Sequence, residues 1–259
     1  MPKVVASLST LPPRGDHLAL TLESLLVQSH KLDAIYVNVP YSARRAQGPI
    51  EVPPCLTELS RRAPQIAVLR TEDFGPGTKL LPALQQVRDR DAIVITFDDD
   101  MIYDPRVVAT LVAASTAHRH WAVGFCGWNV ARNGDVERAR TSFVDVLQGF
   151  AGAAYRRGFF EDDVFRAYQR HPRCFYVDDV WISGYLAEHG HARFLIRPKI
   201  APRHSPNTAV NALRKEPEKV GHNRECALCW RFSPVRGGSP RRGLALPRIR
   251  ASYALRRSL

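Results

Sequence analysis

Apolar positions along the first hundred residues fall into two alternating patterns. Residues 4–11, 34–39, 66–69 and 93–97 are short, nearly continuous apolar runs rich in β-branched side chains, the pattern of strands buried on both faces of a parallel sheet. Between the first two, Leu18, Leu22, Leu25 and Leu26 recur at helical spacing behind Asp16, a residue suited to capping. Residues 56–62 read as a short helix, and 78–87 as another that starts after Gly75-Pro76-Gly77. Strand and helix alternating in this way predict an α/β fold with a mostly parallel sheet and helices on both faces.

The second half departs from that alternation. Asp104 and Pro105 suit the start of a helix over 105–117, followed by a strand at 121–126 and a hairpin signal at Asn133-Gly134. Residues 143–147 read as a strand, 149–155 as a close-approach loop, 162–168 as a short helix, 177–186 as a helix opening on acidic residues, and 191–196 as a last strand. No stretch rich in Pro, Gly or Ser separates the halves, so 1–204 is read as one domain, divided at about residue 104. Residues 205–259 are a basic, partly irregular extension, in which 244–259 can either form a basic amphipathic helix on a membrane surface or stay a solvated tail.

The strongest chemical signal lies where the fourth run ends. Ile93-Val94-Ile95-Thr96-Phe97 passes directly into Asp98-Asp99-Asp100, which places three carboxylates at the C-terminal edge of the sheet, where open α/β sheets bind ligands. Adjacent like charges repel, and a divalent cation with oxygen ligands relieves that repulsion. A solvated acidic turn is the alternative. Alternate residues of an extended segment point the same way, so Asp98 and Asp100 can face one ion while Asp99 faces away or reaches a ribose hydroxyl.

Composition narrows the class only a little. With 259 residues, 45% hydrophobic and 24% charged, the chain has an ordinary globular composition, and no apolar run approaches the ~20 residues that cross a bilayer. Met1-Pro2-Lys3 leads straight into a strand pattern without a signal-peptide core, so a cytoplasmic location is expected. Five irregularly spaced cysteines predict reduced thiols rather than a disulfide framework. Cys226 and Cys229, near His222, have the spacing of half a zinc site but lack a second pair. Of the net charge of +12, eight arginines from Arg231 onward carry +8, so the body is only weakly basic. Such a tail is an electrostatic footprint for anionic lipid, nucleic acid or an acidic polymer without distinguishing among them; peripheral contact with an anionic membrane is one reading, and no specific nucleic-acid partner is expected.

Taken together, the first strand, the Gly75-Pro76-Gly77-Thr78-Lys79 turn, the Asp98-Asp99-Asp100 triplet and the Asp178-Asp179 pair resemble nucleotide-sugar glycosyltransferases of the GT-A fold, family 2-like or exostosin-like, over residues 4–204. The resemblance implies a Rossmann-like nucleotide-binding half, 1–104, and an acceptor-side half, 105–204. It implies transfer of a sugar from a nucleotide donor, expected to be UDP-linked, to a hydroxyl of a glycan or lipid-linked acceptor. Mn²⁺ or Mg²⁺ is the implied cofactor, held by Asp98 and Asp100, with His204 as a third ligand. Ser9, Thr10 and Arg14 at the end of the first strand, with Lys79, Asp98 and Asp99, are the implied nucleotide contacts.

In the acceptor-side half, Asp179 is the implied general base with Asp178 as its companion, although helix N-termini attract carboxylates for structural reasons alone. Trp181 can offer a flat face to a sugar ring or fill the core, and Gly149 and Gly152 can let the backbone approach donor or acceptor. Two other classes compete. A nucleotidyltransferase that makes sugar nucleotides would carry a glycine-rich basic loop after its first strand, for which Leu11-Pro12-Pro13-Arg14-Gly15 is a poor candidate. A non-enzymatic nucleic-acid- or membrane-binding protein would explain the tail but leave the acidic cluster idle.

Overall fold

The four apolar runs become β1 (Val4–Ser9), β2 (Ala34–Pro40), β3 (Ile66–Thr71) and β4 (Ile93–Thr96) in the computed structural model, which describes residues 1–12, 15–44, 46, 48–197, 199–205 and 219–232. Helices α1 (Gly15–Leu26), α2 (Pro54–Arg62) and α3 (Leu81–Gln86) connect them. A two-residue strand β5 (Met101–Ile102), α4 (Val107–Ala117) and β6 (Trp121–Gly124) follow. Next come β7 (Gly127–Val130), β8 (Val136–Arg138), β9 (Val146–Leu147) and β10 (Ala153–Arg156). The described chain ends with α5 (Val164–Gln169), α6 (Asp178–Glu188), β11 (Ala192–Leu195), β12 (Arg203–His204) and α7 (Lys219–Ala227).

The main sheet has the order β11-β6-β10-β4-β1-β2-β3. Every neighbouring pair is parallel except those made by β10, which runs antiparallel to both β4 and β6. Side-chain alternation explains the layers. Val4, Ala6, Leu8, Ile93 and Ile95 face a core shared with α1, α2 and α4, while Val5 and Val94 face a second core shared with α3 and α6. The mostly parallel sheet with helices on both faces is therefore the architecture that the periodicity predicts. A three-stranded sheet, β8-β7-β9, stands beside it, with Asn133-Gly134 in the β7–β8 turn as the hairpin signal predicts.

Four expectations need correction. The segment read as a loop over 149–155 includes the first three residues of β10, a central strand; its short Ala153-Ala154-Tyr155 run follows Gly152 at φ +93° and is too brief to carry a period. The helix expected over 78–87 begins later, because Gly75–Lys79 forms a separate 3-10 turn before α3. Asp104 does not cap α4 as its boundary residue; it accepts the Arg106 N–H at 2.9 Å, just before the helix. The reduced-thiol expectation also fails for one pair, since Cys174 and Cys226 form a disulfide across 52 residues. Its partners lie far apart in sequence and meet only when α7 packs beside α6, so spacing could not reveal them. With Cys226 so engaged, the half zinc site falls too; Cys229 instead lies 3.4 Å from the Glu225 carbonyl. The expected membrane helix over 244–259 lies outside the described residues, among which no helix is long and apolar enough to cross a membrane.

Candidate active site

In the sheet order, β1 lies between β2 and β4, and the chain turns outward on either side of it, so a crevice opens at the C-terminal ends of β1 and β4. Ser9 and Thr10 stand at the end of β1; Arg14 lies outside the described residues. The Thr10 N–H donates to the Asn38 carbonyl at 3.2 Å, and the Asn38 side-chain amide donates to Ser7 Oγ and the Leu8 carbonyl. Thr10 Oγ1 and Asn38 Oδ1 are buried without a hydrogen-bond partner among the described residues. Buried polar atoms are ordinarily satisfied, so these two oxygens are exceptions near the C-terminal ends of β1 and β2. Asn38 escaped sequence reasoning because it sits inside an apolar run, where it reads as an interruption.

Across the crevice, β4 ends at Thr96 and the triplet turns away from the sheet. The turn is held from behind by a polar stripe on α1. Thr21 Oγ1 lies 2.9 Å and 2.8 Å from the Asp99 and Met101 carbonyls, Ser24 Oγ accepts the Tyr103 N–H, and Gln28 bridges the Asp104 carbonyl and the Val108 N–H. These residues recur every three or four positions and so share one helix face. From the front, the Tyr103 hydroxyl accepts the Asp98 N–H at 2.9 Å and lies 2.9 Å from the Phe150 carbonyl. Burial, followed by the Asp98 charge, holds that phenol well above its ordinary pKa, so it stays a neutral brace. The Asp98 side chain is 31% exposed, whereas Asp99 and Asp100 are only 4% and 9% exposed as residues.

The Gly75–Lys79 turn delivers the cation. Phe74 N–H donates to Thr78 Oγ1 and Gly75 N–H to Asp73 Oδ1, which folds the turn so that Lys79 points inward. Its ammonium lies 2.5 Å from Asp98 Oδ1 and 3.3 Å from Asp178 Oδ2. Burial alone would depress the Lys79 pKa, but Asp178, Asp98 and Asp179 together outweigh it and hold it well above the usual lysine range. Lys79 is therefore an integral charge of the site rather than an exposed lysine on a surface helix. Part of the neutralisation that the triplet requires comes from this side chain.

Asp178 and Asp179 open α6, but neither caps it through a side-chain hydrogen bond. Asp178 turns to Lys79, and Asp179 Oδ1 accepts the Gly149 N–H at 2.9 Å. Burial first, then the neighbouring Asp178 charge, push the Asp179 carboxyl up to about 7 against the opposing pull of Lys79 and the Gly149 N–H. Gly149 permits this contact: a Cβ there would stand 3.1 Å from Thr96 Oγ1 and 3.4 Å from Asp179 Oδ1. One crevice thus joins Lys79, Asp98, Asp178, Asp179 and Gly149.

Two expected contacts do not reach it. Trp181 is fully buried, packed edge-on against Tyr168 and Trp230, and presents no face to a sugar; one turn into α6 its position belongs to the core. Gly152 is turned to the opposite side of the sheet, where a Cβ would meet Leu111, Phe97 and Val107, and its positive φ serves the entry into β10. His204 lies close by: β12 pairs with β5 so that His204 stands opposite Met101, and the Ser205 N–H donates to the Asp100 carbonyl. Among the described residues, no three His, Cys, Asp or Glu side chains converge into a ready-made metal cage. The donor chemistry at this edge, two carboxylates with an imidazole one residue along, nevertheless suits a hard or borderline divalent ion whose other ligands come from a phosphate and water.

No protein-family model matches the chain, and no curated protein matches it. Solved structures do. The mannosyltransferase PcManGT from Pyrobaculum calidifontis, in complex with GDP-Man and Mn²⁺, superposes with a TM-score of 0.53 at 16% identity over 79% of this chain and 57% of its own. S. aureus TarS 1–349 in complex with UDP-GlcNAc superposes with a TM-score of 0.53 at 15% identity over 79% of this chain and 58% of its own. The chain therefore spans less than two thirds of the length of these neighbours. At such identities the likeness shows the fold alone, and that fold is the GT-A-like architecture of nucleotide-sugar glycosyltransferases.

Proposed function

We propose that the protein transfers a sugar from a nucleoside diphosphate donor, UDP-linked as first choice, to a hydroxyl of a glycan or lipid-linked acceptor. The observation that carries this reading is Asp179: a carboxyl pushed up to about 7 and fixed by the Gly149 N–H, in the same crevice as Asp98 and Lys79. A base with a pKa near the working pH is well matched to removing a hydroxyl proton as that oxygen attacks. The acceptor oxygen forms its bond to the anomeric carbon, the bond from that carbon to the diphosphate oxygen breaks, and the electron pair leaves with the nucleoside diphosphate.

Each remaining residue has a part. Ser9 stands on the nucleotide side of the crevice, with Thr10 and Asn38 buried behind it. Lys79 keeps Asp98 and Asp178 in place and lowers the cost of gathering negative charge. Asp98 and Asp100, with His204, would hold Mn²⁺ or Mg²⁺, which when bound supplies Lewis-acid stabilisation of the departing diphosphate. The neighbours bound to GDP-Man with Mn²⁺ and to UDP-GlcNAc support this class of donor.

Thermal denaturation with UDP and GDP, each with and without Mn²⁺, tests the donor assignment, because a ligand that binds only the folded state raises its apparent stability. A rise in melting temperature with UDP that requires Mn²⁺ is expected. No rise with any nucleoside diphosphate in either condition would overturn the reading.

A further inference from the structure

Away from the crevice residues, a cleft of about 860 Å³ opens between the β7–β8 hairpin and the end of α7. We propose that it is a subsite for an anionic saccharide, the part of the acceptor that lies away from the reacting hydroxyl. This rests on the transferase reading above. A volume of this size lies in the range of small-molecule sites, roughly 300–1,000 Å³. Arg132, Arg140 and Arg231 line it, all three exposed and none in an ion pair among the described residues. Of the two carboxylates that also line it, Asp145 is committed elsewhere: it accepts the Val130 N–H at 2.9 Å and lies 3.9 Å from the buried Arg193 guanidinium. Three guanidinium groups therefore stand against Glu137. Their planar forks suit carboxylate or phosphate oxygens. Phe143 and Phe232, both half-buried, add apolar ring surface suited to the C–H face of a sugar.

The cleft is built rather than incidental. Its two walls come from distant parts of the chain and are fastened to each other and to the core. Arg224 Nε of α7 donates to the Asn133 carbonyl of the hairpin turn at 3.0 Å, and the Cys174–Cys226 disulfide ties α7 to the segment that precedes α6. Trp230 packs so closely on Gly184 of α6 that a Cβ there would stand 2.2 Å from the indole. Trp230, 6% exposed, lines the cleft and carries an indole N–H with no acceptor among the described residues. The cleft is also linked to the crevice along the chain. Asp145 on its wall precedes Gly149, the partner of Asp179, by four residues, which extended backbone spans in roughly 13 Å. That is about the reach of a short oligosaccharide.

The test is a calorimetric titration of the full chain with three oligosaccharides of equal length, one bearing uronate carboxylates, one bearing phosphate monoesters and one neutral, with inorganic phosphate as a competitor. Both anionic oligosaccharides are expected to bind at least about tenfold more tightly than the neutral one, the scale of one charge-assisted contact. Arg140→Ala and Arg231→Ala are each expected to weaken the anionic oligosaccharides about tenfold and leave the neutral one unchanged; both positions are exposed, and circular dichroism of each variant checks the fold. Preference for only one of the anionic arms would identify the group recognised. Equal affinity for charged and neutral oligosaccharides, no effect of either substitution, or complete displacement by inorganic phosphate alone would overturn the proposal. Hydrolysis of UDP-sugar by the unaltered chain is measured separately. Hydrolysis without anionic preference removes the subsite and keeps the transferase; anionic preference without hydrolysis keeps a saccharide cleft and removes its role in transfer.

Discussion

Asp179 and Lys79 meet opposite demands in one crevice. Lys79 stays charged and holds Asp98 and Asp178, while in the proposed transfer Asp179 gains and loses a proton near neutrality. Because the folded-state pKa of Asp179 lies above the ordinary value of 3.8, its protonated form favours the fold. That stabilisation is fully present below the unfolded value and is lost as pH rises through about 7. Asp179→Asn keeps an acceptor for the Gly149 N–H and removes this loss, so above neutral pH the variant should melt higher than the parent, by on the order of 1 kcal/mol. Its transfer rate should fall by about 10²–10⁴, and the acidic limb of the pH–rate profile near 7 should vanish. Lys79→Met should destabilise the fold by about 3 kcal/mol in denaturant titration, since it leaves buried carboxylates without their counter-charge. The acidic residues were readable from sequence because charge at the end of an apolar run is conspicuous. Trp181 was not resolved, since aromatic residues one turn into a helix look alike whether they face a ligand or the core. Asn38 and Thr21 stayed hidden because a single polar side chain within an apolar pattern gives no direction.

Helix α1 does more than cover the sheet. Its apolar residues Leu18, Leu22 and Leu25 were evident from their spacing, and they bury it against β1 and β2. Its polar stripe of Thr21, Ser24 and Gln28 was not, because it becomes meaningful only once the turn after β4 is seen to lie against it. Thr21→Val removes the hydroxyl that serves the Asp99 and Met101 carbonyls, and should cost about 1–3 kcal/mol in stability. It should also weaken Mn²⁺ in nucleotide-dependent titration, because the triplet loses its brace; unchanged affinity would separate α1 from the site. Strand β10 shows the opposite failure of periodicity. Four residues after a glycine carry too little pattern to announce a central strand, yet the 3-10 turn that leads into β10 sets Gly149 beside Asp179. Gly149→Ala should therefore reduce turnover while shifting the melting temperature little, as the added methyl presses on Thr96 and Asp179.

At the scale of the whole molecule, alternation of strand and helix was enough to predict the parallel half, because each element there buries a face and local pattern reports burial. The later half follows tertiary contacts instead. The Cys174–Cys226 disulfide joins α7 to the neighbourhood of α6 over 52 residues, and removing it with Cys174→Ser and Cys226→Ser together should cost about 2–4 kcal/mol in thermal denaturation. The same linkage holds one wall of the cleft beside the hairpin, so loss of oligosaccharide affinity in that double variant is expected as well. The effects on turnover presuppose that the crevice between β1 and β4 cleaves a sugar from a nucleoside diphosphate. The most direct measurement is release of UDP from UDP-sugars with Mn²⁺ by the full chain and by Asp179→Asn, followed across pH. Release that rises through an apparent pKa near 7 and falls at least about a hundredfold in the variant is the predicted result. Release by the variant at the parent rate, or none by the parent with any nucleotide sugar, would contradict it.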